Sequence, residues 1–216
     1  MNSIRITVLV LKEVPLYFNE SMRLPPEVAE FVTDMNQRID NFLEGKPFAE
    51  KGFVACDHEL IARALISIRD QQLLSGNEMC EWGSGFGGVA SVASFLGFEA
   101  CGIEINTEVL QHSIDLANEY DLDVDFVEGS FLPEGSDDLV DQAYRENDGD
   151  ITLETHFDDA YRDLAKDISD FDLIFVFPWP NDAPLLSRIF DRYASFGSIL
   201  LTYNDFSGLK VERKIG

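Results

Sequence analysis

Positive charge is what this chain has least of: 16 lysines and arginines stand against 40 aspartates and glutamates, a formal net charge of -24. Nucleic-acid binding draws on a basic surface that displaces counterions from phosphates, so long DNA or RNA is not an expected partner. An acidic field favours a neutral or cationic substrate, and it also keeps a protein in solution. Cysteine is scarce as well. Cys56, Cys80 and Cys101 are an odd set without C-x-x-C spacing and with no secretory leader before them, which argues against a disulfide framework or a zinc site. Buried thiols in a cytoplasmic protein are the expectation, with no metal. Long apolar runs are missing: "ITVLVL" is far below the ~20 residues that span a bilayer, so no membrane partner is expected. Internal repeats and low-complexity tracts are absent too.

What the chain does have is a core. Of its 216 residues 45% are apolar, 17 of them phenylalanine, enough for one compact unit. Residues 1–76 read as an N-terminal strand and helices packing on the remainder, and 77–216 as a cofactor-binding domain with an acidic insertion at 132–170. The opening "SIRITVLVLKEV" is short and β-branched and predicts a buried strand. Val28, Phe31, Val32, Met35, Ile39 and Phe42 then recur at helical spacing behind two prolines suited to a first turn. Asp57 is placed to cap a second helix whose apolar face is Leu60, Ile61, Ala64, Leu65 and Ile68.

From residue 77 strands and helices alternate. Strands are expected in "EMCEWG", "EACGIEI", "DVDFVEG", "FDLIFVF" and "GSILLTY", with helices in "GVASVASFLG", in "EVLQHSIDLANEY" capped by Thr107, and in "APLLSRIFDRYASF". One more helix is expected in the insertion, in "FDDAYRDLAKDI", whose charge reads as a solvated face. Such alternation implies a doubly wound, mostly parallel α/β sheet with right-handed crossovers.

The chemistry gathers around "EWGSGFGG". Gly83, Gly85 and Gly88 satisfy G-x-G-x-x-G while Gly83, Gly85 and Gly87 satisfy G-x-G-x-G; each glycine alone is an ordinary turn residue. A strand before the turn, a helix after it and Glu104 closing the next strand make a nucleoside site, because an acid there accepts bonds from ribose hydroxyls. Nicotinamide dinucleotides and S-adenosylmethionine both carry that ribose. Glu81 separates them: a carboxylate two residues before the first glycine repels a pyrophosphate and suits a cationic ligand.

"EWGSGFGG" followed by "GIEIN" resembles the cofactor-binding signature of the class I S-adenosylmethionine-dependent methyltransferases, over residues 50 to 205. The resemblance implies a Rossmann-like methyltransferase fold, with Glu81, Gly83, Gly85 and Gly87 lining the amino-acid end of the cofactor and Glu104 holding its ribose. Ser130, with Phe131 beside it, stands in "VEGSFLP" where the family commonly has an aspartate that meets the adenine amine. After the fourth strand, "FPWPND" resembles the Asn/Asp-Pro-Pro-aromatic loop of amino-group methyltransferases, though Phe177 replaces the polar residue, Trp179 the second proline and Pro180 the aromatic. Phe177, Pro178, Trp179 and Asp182 are the residues expected at the acceptor, with Asn181 beside them. The missing polar side chain speaks against adenine N-methylation. Asp182, Asp57 and His58 are open alternatives for a base; His112 is expected at the surface, and His156 is unassigned.

The expected activity is methyl transfer from S-adenosylmethionine to a small molecule or protein side chain, with nitrogen among the acceptor atoms. A nicotinamide-dependent oxidoreductase and a non-catalytic S-adenosylmethionine-binding regulatory module are the alternatives. The family adds two strands after the fifth, yet "NDFSGLKVERKIG" leaves room for one. The sheet is therefore expected to have a shortened C-terminal end, supplemented by "SIRITVLVL".

Overall fold

The computed structural model describes residues 11–17, 21–45, 54, 56–147, 149, 151, 153, 160–179, 181–204 and 208–215. Its strands are β1 (Leu11–Glu13), β2 (Glu78–Trp82), β3 (Glu99–Glu104), β4 (Val124–Glu128), β5 (Leu173–Val176), β6 (Ile199–Asn204) and β7 (Gly208–Lys214). They form one seven-stranded sheet in the order β1-β7-β6-β5-β2-β3-β4. β4, β3, β2, β5 and β6 run parallel, while β7 is antiparallel to β6 and β1 antiparallel to β7. This is the doubly wound, mostly parallel sheet that the alternating pattern predicts. The one strand expected after β6 is β7. Of the N-terminal supplement, residues 4–10 lie outside the described residues; Leu11 pairs with Lys214 and the pairing continues to Glu13 against Glu212.

Helices cover both faces: α1 (Pro26–Leu43), α2 (His58–Asp70), α3 (Gly88–Phe95), α4 (Thr107–Glu119), α5 (Asp137–Glu146), α6 (Ala160–Asp163) and α7 (Ala183–Tyr193). Side chains alternate across each strand, so the sheet feeds two cores. Met79 of β2 and Phe175 of β5 join Phe31, Met35, Ile61, Leu65, Val89 and Val109 on the side of α1 to α4. Cys80, Trp82 and Ile174 join Leu139, Tyr161, Leu185 and Phe190 on the side of α5 to α7. The α1 stripe buries Val28, Phe31, Val32, Met35 and Ile39, as its spacing predicts. Cys80 and Cys101 are buried thiols, whereas Cys56 is half-buried.

Asp57 caps α2 as expected, its Oδ1 accepting from the Leu60 N–H at 2.9 Å. Losing such a cap costs about 1 kcal/mol. Asp57→Ala is therefore expected to lower the unfolding free energy by that amount, read as a lower urea midpoint at an unchanged slope.

The acidic insertion departs from expectation twice. It holds a second helix, α5, and it is not wholly a solvated face. Leu139, Val140 and Ala143 of α5 are buried, as are Ala160, Tyr161, Leu164 and Ile168 further on. The acids of α5 meet the bases of α7: Arg188 Nη2 lies 2.5 Å from Glu146 Oε2, and Arg192 grips both oxygens of Asp138 at 2.5 and 2.9 Å. Charge read along the sequence as solvation is in part a complement to a helix that comes later in the chain, beyond α6 and β5.

Candidate functional site

From β2 at the centre the chain steps outward through β3 and β4, crosses back over the sheet, then steps the other way through β5, β6 and β7. The winding reverses between β2 and β5, and in an open parallel sheet that reversal opens a ligand crevice at the strands' carboxyl ends. The glycine turn leaves β2 there and the proline corner leaves β5 there. The two motifs singled out in the sequence thus share one mouth.

Gly83, Gly85 and Gly87 all have positive φ, at 68°, 54° and 69°. The turn is pinned by Ile103 O, which accepts from both Gly83 and Ser84 N–H at 2.9 Å, and by Ser84 O, which accepts from Gly87 N–H at 2.7 Å. Gly87 is locked by packing as well as by φ: a Cβ there would lie 2.3 Å from Phe126 Cζ and 2.8 Å from Ser113 Cβ. Gly83 is the opposite case. It is exposed, and a Cβ there would meet only Phe131 Cε1, at 3.9 Å. Backbone at Gly83 therefore lies open to a ligand.

Glu104 closes β3 and braces the same turn. Its Oε2 accepts from Gly85 N–H at 2.7 Å and its Oε1 from Asn106 N–H at 2.8 Å. A carboxylate offers about four lone-pair positions, so two remain for hydroxyl donors. Ile105 follows it, 38% exposed, an apolar surface at the mouth that suits a flat ligand and that the sequence reading did not single out. The helix beyond is capped by Asn106 rather than Thr107: Asn106 Oδ1 accepts from Glu108 and Val109 N–H, while Thr107 Oγ1 donates to Glu128 at 2.9 Å. Either side chain has the chemistry of a cap, and the backbone breaks from the strand one residue earlier.

Glu81 lies under the first turn of α3, 4% exposed, with Oε2 accepting from Ala90 N–H at 2.8 Å. Across the sheet it faces Gly102 of β3 and Phe175 of β5. Burial pushes its carboxyl up to about 8; the N–H groups of Ala90 and Val89 pull it down, and the like charge of Glu104 pushes it further up. His58 meets α3 from the other side, so close that a Cβ on Gly88 would lie 2.7 Å from its Nε2. Its Nδ1 is 3.0 Å from Asn36 Oδ1. Burial lowers His58 to about 4 against the opposing charge of Asp57, which keeps the imidazole neutral at pH 7.

At the end of β4, Ser130 is buried and its Oγ accepts from Leu132 N–H at 3.2 Å. Phe131 stacks on Trp82, with ring centroids 5.3 Å apart and planes within 6°. Its carbonyl accepts from Tyr161 Oη at 2.7 Å, so α6 of the acidic insertion braces this loop. No local pattern around Tyr161 signals that partner. At the corner Phe177 leans on Tyr203 at 5.5 Å, Pro178 is buried and Trp179 is 38% exposed. Pro180 and His156 lie outside the described residues. Asp182 is wholly enclosed at the start of α7, where its backbone carbonyl accepts from Leu185 and Leu186 N–H. His112 is at the surface as expected, but its ring stacks on Phe86 of the glycine turn at 4.8 Å. Asn181 is exposed beside Trp179.

These residues fit a nucleoside ligand with a cationic end: an open glycine backbone, a carboxylate with lone pairs to spare, and a buried acid that already takes up an N–H at the amino end of α3 that a diphosphate would use. Among the described residues no helix is long and apolar enough to cross a membrane, and no group of three or more His, Cys, Asp or Glu side chains is arranged to hold a metal ion.

No protein-family model and no curated protein matches the chain. Solved structures do. An RNA methyltransferase from Salinibacter ruber in complex with S-adenosyl-L-homocysteine is similar at a TM-score of 0.49 and 16% identity, over 74% of this chain and 92% of that one. A Podospora anserina methyltransferase bound to the same molecule gives 0.48 and 17%, over 84% and 63%. An O-methyltransferase from Bacillus cereus, also in that complex, gives 0.46 and 12%, over 85% and 68%. By its sheet order and its glycine-turn signature, the chain is a Rossmann-like α/β protein that resembles the class I S-adenosylmethionine-dependent methyltransferases.

Proposed function

We propose that the chain is an S-adenosylmethionine-dependent methyltransferase acting on a neutral or cationic small molecule or protein side chain, with nitrogen among the acceptor atoms. The observation that carries this is Glu81, a carboxylate buried at the amino end of α3, where a dinucleotide's pyrophosphate would otherwise seat. In this reading Gly83, Gly85 and Gly87 present backbone to the ligand's amino-acid end, Glu81 faces its ammonium, and Glu104 accepts from the ribose. Ile105, Ser130 and Phe131 border the adenine.

The sulfonium of the bound cofactor supplies an already activated methyl group. The protein's share is to align the acceptor and exclude water. Trp179 offers a ring face to a cationic or flat acceptor, and backbone carbonyls at Phe177 and Pro178 orient an amine. Asp182, enclosed beneath them, holds the corner: its N–H donates to Trp179 O at 3.0 Å. That enclosure favours an acceptor that arrives without a proton to lose, and it also supports the second reading, a regulatory module that binds the cofactor without catalysis.

Titration calorimetry tests the proposal. S-adenosylmethionine is expected to bind saturably and NAD not at all; NAD binding alone would return the chain to the oxidoreductases. A methyl-transfer screen over amines, hydroxyl compounds and peptides then separates enzyme from module.

A further inference from the structure

We propose that ligand binding here is proton-coupled: Glu81 is held as the neutral acid in the free protein and gives its proton to solvent when a ligand ammonium arrives as its partner. The inference rests on the reading of Glu81 as the acid that faces the amino-acid end of S-adenosylmethionine.

The geometry is that of a charge with no counter-charge. Glu81 is 4% exposed on a strand at the centre of the sheet, between Gly102 and Phe175 on the neighbouring strands. Among the described residues, what faces it from the packed elements is not cationic. β3 contributes Glu104, a like charge. α2 contributes His58 against Gly88, and the burial that lowers its basicity leaves it uncharged at pH 7. On the opposite face of β2 the neighbouring Cys80 thiol is kept protonated by burial and the Cys101 thiol, and brings no positive charge either. α3 supplies N–H dipoles, of which Ala90 N–H bonds at 2.8 Å. A buried carboxylate in such a setting takes a proton rather than bear the desolvation. Its elevation to about 8 agrees with this.

A ligand ammonium reverses the balance by bringing the missing cation. The carboxyl O–H bond breaks, the proton leaves to buffer, and an ion pair remains. With Glu81 at about 8 and the ligand's α-amine at its ordinary value of roughly 7.7–8.0, the two ends titrate in opposite senses. At about pH 7 Glu81 sheds more proton than the amine gains, a net release. At about pH 9 Glu81 is largely ionised and the amine must gain its proton, so binding takes up protons on balance.

The test is calorimetric titration of the whole protein with S-adenosylmethionine in buffers of different ionisation enthalpy, at about pH 7 and about pH 9. Release at the lower pH and uptake at the higher are expected. Methylthioadenosine, which lacks the amino-acid end, is expected to bind with no proton exchanged at either pH. Glu81→Gln is expected to abolish the release at the lower pH and keep the uptake at the higher; should that variant not bind, the two ligands on the unaltered protein carry the comparison. Binding of S-adenosylmethionine at about pH 7 without proton release would overturn the coupling and leave the methyltransferase reading standing. No binding of either nucleoside at any pH would overturn that reading itself.

Discussion

Replacing Gly87 by alanine is expected to cost about 2–5 kcal/mol of folding stability, the sum of roughly 1–2 kcal/mol for a side chain in left-handed backbone and about 1–3 kcal/mol for overpacking. The first part follows from φ of 69°, the second from a Cβ that would sit 2.3 Å from Phe126 Cζ. Phe126 is no free rotor, since β4 pairs it with Gly102 of β3, where a Cβ would also lie 2.7 Å from the same ring. Gly97→Ala is the natural control: its φ is +85° but nothing lies within 4 Å of its Cβ position, so it should cost only the backbone part. Urea midpoints of the two variants at a common slope give the difference directly. If Gly87→Ala proved as mild as Gly97→Ala, the ring would be yielding without cost and the glycine turn would not be locked from below. A turn that is locked is the precondition for a ligand site built from backbone.

That a candidate site is legible in the sequence at all has a local cause. The parallel strands, the turn and Glu104 are specified by short-range features: β-branched runs, glycines that permit positive φ, and a strand end at a fixed distance. The crossover between β4 and β5 could not be read the same way. α5 has few apolar positions, and Leu139, Val140 and Ala143 become a buried face because α7 arrives beside them with Arg188 and Arg192 aligned to Glu146 and Asp138. Tyr161 is similar. Its role in holding the Phe131 carbonyl depends on a loop 30 positions away, which no periodicity encodes. Asp182 is another such case: an acid beside the corner invites a catalytic expectation, and its burial at the head of α7 is set by packing that the local sequence does not encode. His112 lies at the surface as its helical position implies, yet the Phe86 ring it covers belongs to the glycine turn.

Glu104 is where fold and ligand chemistry meet, and its replacement should show both. Charge-assisted hydrogen bonds to two ribose hydroxyls are worth roughly 1.5–3 kcal/mol each, so Glu104→Ala is expected to weaken S-adenosylmethionine by up to about 10²–10⁴-fold. The same change frees the N–H groups of Gly85 and Asn106, which the carboxylate now satisfies at 2.7 and 2.8 Å. Water can reach that half-buried position, so the stability loss should stay near the lower end of the roughly 1–3 kcal/mol for unsatisfied buried donors. Glu104→Gln separates the two contributions. Its amide nitrogen must point at one of those two N–H donors, so it forfeits one brace while keeping one acceptor. It also removes the like charge that raises Glu81, so the buried acid should ionise at lower pH in the variant. Calorimetric affinities and urea midpoints for both variants complete the comparison. Affinity lost in proportion to stability would mean that Glu104 only props the turn. Affinity lost far beyond stability would place the ligand's hydroxyls on the carboxylate itself.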